Sequence, residues 1–417
     1  MKPRTLLFTG LPLTLLALAL ALASCEHTSV APDYRISREL YPLEKRLVEA
    51  GNDFGVKLFR EVVQRDPGNN VFISPLSVSM ALGMTLNGAS GSTFDAMQTT
   101  LELTGLTEDE INQSYRSLID LLVQLDPHVK FQIANSIWYR QGMSFEPDFI
   151  KLDKTYFDAL VQALNFDDPN AKDIINAWVN EKTNGRIDQI VDAINPEHVM
   201  FLINAVYFKG IWTYQFDPAQ TQDDRFNAAD GSQAPCQMMH VAGDFSYFAN
   251  ASFQAIELPY GDAGFSMVIL LPRVPSQMDS LIGAITPETW AAWMGSFSTH
   301  AVQLSLPKFT LRYDLTMNDV LASLGMEIAF TGRADFTRMY RPGHLCISRV
   351  KHKTFVQVDE EGTEAAAVTS VEVSVTSGTG GGVIPIPMRV DHPFVFAIHE
   401  NGSQTILFIG KVLLPTL

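Results

Sequence analysis

The chain has 417 residues, of which 46% are apolar and 18% charged, with a formal net charge of −16. Those proportions supply ordinary globular material for a large core, in one domain or two. The acidic excess disfavours nucleic acid or an anionic lipid surface as a partner, and charge alone names no positive one.

In chain order, Lys2 and Arg4 precede an apolar run from Leu6 to Ala23, broken only by Thr9, Gly10, Pro12 and Thr14, which is the pattern of an export signal. Leu22-Ala23-Ser24-Cys25 resembles a bacterial lipoprotein cleavage box and implies removal of residues 1–24 and acylation of Cys25. An uncleaved membrane anchor is the alternative, against which the run is short and interrupted. Removing residues 1–24 takes away two basic groups and no acidic one, leaving 28 against 46 and a net charge of −18. Residues 25–38 read as a tether, so the expected location is the cell envelope, periplasmic or outer, or outside the cell. No linker or repeat follows before the tract Gly378 to Gly382, and residues 39–417 are expected to form one continuous domain.

Leu47, Phe54, Leu58, Phe59 and Val62 recur at helical spacing until Asp66-Pro67-Gly68-Asn69 stops the helix. Val71-Phe72-Ile73 reads as a short strand, and Ser74-Pro75 as an N-cap with proline at the first helical position. The helix that follows, through Met84, is apolar almost all round and should be buried. Phe131 to Trp138 alternates as a strand, Asp173 to Lys182 is an amphipathic helix, and Val199 to Tyr207 is a strand. Strand patterns dominate the rest: Ser252 to Leu258, Phe265 to Leu271, Ala301 to Leu306, Lys353 to Val358, Phe394 to His399 and Thr405 to Val412. A mixed α+β domain is expected. With Cys25 acylated, Cys236 and Cys346 remain; they could pair, but no spacing rule requires it, and they read as buried thiols. No Cys/His cluster has metal-ligand spacing, so neither metal nor cofactor is expected.

Several segments, taken in order, resemble one family, the serpins. They are Asn70 to Ser77, Asn176 to Ile187, Leu202 to Trp212, Leu306 to Phe309, His352 to Ala367 and Asp391 to Phe396. Each motif alone is weak, and six in order span nearly everything from about residue 40 to Leu417. The resemblance implies a single domain with three β-sheets, eight or nine helices and an exposed reactive-centre loop at about 360–390. It also assigns roles by position. Ser74, Ser77, Asn204 and His352 match the polar shutter beneath the main sheet, where strands part for insertion. Trp212, Lys308 and Glu360 match the breach at the top of that opening, with Lys308 paired to Glu360. Read alone, Ser74 is a helix cap, His352 a satisfied core histidine, Trp212 core filler and Lys308 a solvated charge.

The hinge implied is Glu360, Glu361, Gly362, Thr363, Glu364, Ala365, Ala366 and Ala367. From Thr363 the odd positions through Val375 carry no charge, whereas Glu364 and Glu372 both fall on the even face, as in a strand with one buried side. Gly362 supplies a pivot without a Cβ. Alanine also favours helix, so a helical turn over Glu364 to Ala367 before insertion is the competing reading. Counting from the hinge as in inhibitory relatives puts the reactive bond at Thr376–Ser377, with Val375–Thr376 as the alternative because Gly378 to Gly382 lengthens the loop. Small or β-branched residues there suit elastase-like or subtilisin-like pockets. The Met388–Arg389 bond would suit a trypsin-like enzyme but lies too far along for insertion.

The expectation is therefore a monomeric suicide-substrate inhibitor of serine proteases, with cysteine proteases as secondary targets and no catalytic residue of its own. A serpin fold used for binding or structure is the alternative; no Gly-x-Ser-x-Gly or His-Glu-x-x-His motif supports a hydrolase.

Overall fold

Pro42 at the first helical position and Arg65 in the last turn bracket the first helix, whose apolar stripe from Leu47 to Val63 is buried. The computed structural model describes residues 39–363 and 384–416. The signal, the lipobox with Cys25 and the tether lie outside the described residues, as do Glu364, Ala365, Ala366, Ala367 and the bonds at Val375, Thr376 and Ser377.

Nine α-helices occur among the described residues: α1 (Pro42–Arg65), α2 (Pro75–Leu86), α3 (Gly91–Thr100), α4 (Glu108–Gln124), α5 (Pro147–Phe157), α6 (Ala171–Lys182), α7 (Met278–Ala284), α8 (Pro287–Met294) and α9 (Asn318–Leu321). The strands are β1 (Val71–Ile73), β2 (Val129–Arg140), β3 (Leu160–Leu164), β4 (Met200–Ile211), β5 (Gln222–Asn227), β6 (Gln233–Ala249), β7 (Phe253–Tyr260) and β8 (Phe265–Pro272). They continue with β9 (Ser298–Pro307), β10 (Phe309–Thr316), β11 (Lys351–Val358), β12 (Gly362–Thr363), β13 (Ile386–Arg389), β14 (Phe394–Glu400) and β15 (Ile406–Val412).

One sheet runs β10-β11-β12-β4-β2-β3. The other runs β1-β15-β14-β8-β7-β6-β9-β13, with β5 paired to β6. The layers expected as three sheets are tied here into two hydrogen-bonded networks. The reason is β6, whose first residues pair with β5, whose last pair with β7, and which pairs with β9 from Met238 to Tyr247 between them, so one strand belongs to two layers. Rings seal the two sheets together: Phe208 of β4 meets Phe265 of β8 at 5.7 Å, and Phe309 of β10 meets Phe396 of β14 at 5.3 Å.

Two helices matter for the site. Helix α2 is buried from Pro75 to Leu86 except for Ala81, because its sequence offers no polar face to water. Helix α6 lies over the other face of the six-stranded sheet, where Ile175 and Val179 join Trp138 and Ile203 in a second, smaller core. The sheet is thus covered on both faces, and any strand added to it enters a packed space.

One expectation needs correction. Only Cys236 is a buried thiol; Cys346 is exposed, in a stretch without regular structure before β11, and the two are unpaired. Met388 is fully buried in β13, and Arg389 is tied to Asp224 and, at 3.2 Å, to Asp391, so that peptide bond is part of a sheet. No helix among the described residues is long and apolar enough to cross a membrane.

Candidate functional site

The site is the seam between β4 and β11, the two parallel strands that flank β12. At its top the chain turns back on itself: Asp359 and the backbone after it bring Gly362 and Thr363 into the sheet. Gly362 pairs with Ile211, and Thr363 pairs with Gly210 on one side and Val358 on the other. A Cβ at Gly362 would lie 2.0 Å from the Gly210 carbonyl oxygen, so glycine is required for this approach. Thr363 is 2% exposed, and its hydroxyl stands 2.5 Å from the Tyr260 hydroxyl.

Around this entry the breach residues converge. Trp212 is buried, stacks on Tyr260 at 4.4 Å, and donates its indole N–H to the Asp359 carbonyl at 2.9 Å. Its backbone N–H donates to Glu361 O at 2.8 Å. Lys308 Nζ lies 2.7 Å from Glu360 Oε2, and the Thr221 hydroxyl donates to Glu360 Oε1 at 2.8 Å. Burial pushes the Glu360 carboxyl up, but the Lys308 and Thr221 hydrogen bonds outweigh it and hold the group below the usual carboxylate range. Asp359 goes the other way: burial raises it despite the N–H groups of Glu361 and Gly362 that it accepts.

Lower on the seam sits the shutter. Ser74 caps α2 by accepting from the Ser77 N–H at 3.3 Å, while its hydroxyl donates to Leu407 O at 2.7 Å. The Ser74 N–H donates to His352 Nε2 at 3.0 Å. That bond leaves the ring proton on Nδ1 and the imidazole neutral. Burial pushes the His352 pKa down to about 4, against a smaller pull from Asp314. The Ser77 hydroxyl reaches Asn204 O at 3.5 Å, and Asn204 Nδ2 donates to Asn135 Oδ1 at 2.7 Å. Asn204 Oδ1 is buried without a hydrogen-bond partner among the described residues.

Among the described residues β4 and β11 form no ladder with one another; below Thr363 they are separate strands. A cavity of about 120 Å³ opens there, lined by Ser77, Leu202, Asn204, Lys351 and His352 among others.

Ser74, Ser77, Asn204 and His352 therefore lie together low on the seam, and Trp212, Lys308 and Glu360 lie together at its top. Sequence reasoning missed Tyr260, Thr221 and Asn135. Asn135 carried a signal, a polar residue in an apolar alternation; it stands directly across from Asn204.

A family model described as "Serpin (serine protease inhibitor)" matches residues 49–415. The chain belongs to the serpin family. Human Serpin B9 is 33% identical over 382 residues, covering 88% of this chain and 99% of that protein. Iris of Ixodes ricinus is 33% identical over 370 residues, covering 86% and 97%. Among solved serpins, the thermophilic tengpin in its native state superposes with a TM-score of 0.81 at 33% identity, covering 90% of this chain and 95% of that one. Human thyroxine-binding globulin complexed with thyroxine gives 0.81 at 27%, covering 90% and 100%. Serpins are generally serine protease inhibitors, and among the described residues β4 and β11 of this serpin are joined only through β12.

Proposed function

We propose that this serpin inhibits serine proteases as a suicide substrate. The observation that carries the reading is β12, two hinge residues already seated between strands that, among the described residues, share no ladder with one another below it. The protease serine attacks the Thr376 carbonyl, the Thr376–Ser377 amide breaks, and the new amine of Ser377 leaves with the proton carried by the protease histidine. Thr376 is then held as an ester on the protease. Freed from its far anchor at β13, the loop continues down the seam from Thr363. The acylated protease is dragged along, its oxyanion hole is distorted, and water cannot complete hydrolysis.

Fixing a loop residue costs about 1–2 kcal/mol, against roughly 1 kcal/mol per sheet hydrogen bond and about 1.5–3 per buried valine. These terms nearly cancel, so the drive comes from closing the open seam. Val375 and Thr376 suit the shallow pockets of elastase-like or subtilisin-like enzymes, with the Val375–Thr376 bond as the alternative cut and cysteine proteases of similar taste as secondary targets. Acylation at Cys25 tethers the inhibitor, as a monomer, to the cell envelope.

Incubation with elastase-like, subtilisin-like and trypsin-like proteases should give a covalent adduct that survives denaturing electrophoresis, and a released peptide beginning at Ser377. Cleaved loop with fully active protease across that panel would show a serpin fold used for binding instead. A peptide beginning at Arg389 would overturn the specificity.

A further inference from the structure

Away from the seam, three polar side chains are buried together where α2, α4 and α5 meet. Asn87 ends α2, Asn112 lies on α4 and Asp153 on α5, and they are 2%, 0% and 0% exposed. Gly83 sets how closely the three helices approach: a Cβ there would lie 2.9 Å from the Tyr115 ring of α4 and 3.3 Å from the Phe157 ring of α5. Asn112 Nδ2 donates to Asn87 Oδ1 at 2.9 Å, and Asn87 Nδ2 donates to Asp153 Oδ1 at 2.8 Å. That run of bonds stops at both ends on an acceptor. Asn112 Oδ1 and Asp153 Oδ2 are buried and have no hydrogen-bond partner among the described residues.

We propose that Asp153 is held as the neutral acid and that its Oδ2–H donates to Asn112 Oδ1, closing a three-residue ring that latches α4 and α5 to the end of α2. Each member then donates once and accepts once around the ring, and the one hydrogen that a carboxylate lacks satisfies both oxygens. The proton comes from water as the chain folds and returns to water when the group ionises. This inference stands apart from the trapping reading.

The charges around the ring favour the same form. Helix α2 carries no charged residue. On α4, Arg116 is turned to Asp120 and Asp158 at 2.8 and 2.5 Å, and the buried Tyr115 phenol, bonded to Ser79, is pushed up to about 12 by burial. On α5, Asp148, Lys151 and Lys154 are exposed. Outside these helices Arg341 is paired with Glu146 at 2.9 Å, and Arg338 with Glu108 at the start of α4 at 2.6 Å. Burial pushes the Asp153 carboxyl well above its ordinary 3.8, the Asn87 hydrogen bond pulls it down by less, and Glu108 adds to the rise.

The ring also braces one wall of the seam. One turn beyond Asp153, the Phe157 carbonyl accepts from Asn135 Nδ2 at 2.6 Å, and Asn135 Oδ1 accepts from Asn204 Nδ2 at 2.7 Å. Losing the proton puts an unpaired charge at that joint, so ionisation loosens α5 against β2. Above pH 3.8 the unfolded carboxyl has lost its proton while the folded one keeps it. This group's stabilising share is therefore complete below that value and shrinks as the pH rises, until the folded group ionises.

Asp153→Asn in the full chain tests the ring, because an amide N–H takes the place of the acid O–H without titrating. The variant should melt no lower than the unmodified chain at neutral pH, and its lead should grow by roughly 1–3 °C per pH unit between about pH 5 and about pH 8. In the unmodified chain, isotope-labelled in aspartate, infrared spectra at about pH 7.5 should show the carbonyl stretch of a neutral aspartic acid, since ordinary aspartates are ionised there. That band should shift when Asn112→Ala removes its acceptor, and it keeps the test alive if Asp153→Asn does not fold. Absence of the band would overturn the ring. So would an Asp153→Asn midpoint that lies below that of the unmodified chain by the same margin at every pH, the result expected of an ionised Asp153 served by a buried water.

Discussion

The two ends of one seam are built differently. At the breach, β12 already fills the sheet, and every polar group named there has a partner: Glu360 with Lys308 and Thr221, Trp212 with Asp359, Thr363 with Tyr260. At the shutter the same two strands stand apart over α2, with a cavity between them and an unsatisfied oxygen on Asn204. Among the described residues the seam is closed at the top and unpaired below Thr363, and on the proposed trapping reading strand addition runs from Thr363 downward.

The largest effect should come from blocking that direction. In Thr363→Arg a guanidinium would replace a hydroxyl packed against Tyr260, and a buried unpaired charge costs several kcal/mol, enough to lower the yield of covalent protease adduct on the order of 10-fold or more. Undiminished adduct on denaturing gels would mean that Thr363 does not enter the sheet during trapping. Next, Trp212→Ala removes the ring that stacks on Tyr260 and anchors the turn at Asp359. It should cost about 3–5 kcal/mol in urea unfolding, and a loss below about 1 kcal/mol would make the breach far looser than its packing implies.

Parts of this contrast were legible in the sequence and parts were not. Ser74-Pro75 announced a helix start, and the all-apolar run after it announced burial, because capping and burial are local properties of α2. The period-two charge pattern from Thr363 to Val375 lies outside the described residues except for Thr363 itself, which is buried. The partners Tyr260 and Thr221 were invisible, since each reaches the hinge from a strand or turn more than a hundred residues away. The exposure of Cys346 was missed for a related reason: its stretch carries no periodicity from which burial could be read.

The shutter can be probed by acid. The folded His352 pKa of about 4 lies below its ordinary 6.5, so between those values the unfolded chain binds a proton that the folded chain refuses. Stability is therefore complete above about pH 6.5 and falls as the pH drops toward 4, by ~3 kcal/mol from this group. Measured against His352→Gln, the unfolding midpoint of the unmodified chain should fall across that window as the pH drops; equal slopes would remove His352 from the account. The smallest effect belongs to the breach ion pair. Lys308→Met leaves Glu360 with Thr221 alone and should cost about 1 kcal/mol, less at high salt, because the pair is partly open to water. A salt-independent loss would point to packing instead of charge.

Hydrogen exchange of the two seam strands tests the half-open sheet most directly. In peptides covering residues 200–207 of β4 and 351–355 of β11, the amides that face the seam should exchange fast in the intact chain and slowly after the loop is cut, while those bonded to β2 and β10 and those of Gly210 and Val358 beside β12 are protected in both. Equal protection of all these segments before and after cleavage would contradict a sheet that is closed at the breach and open at the shutter.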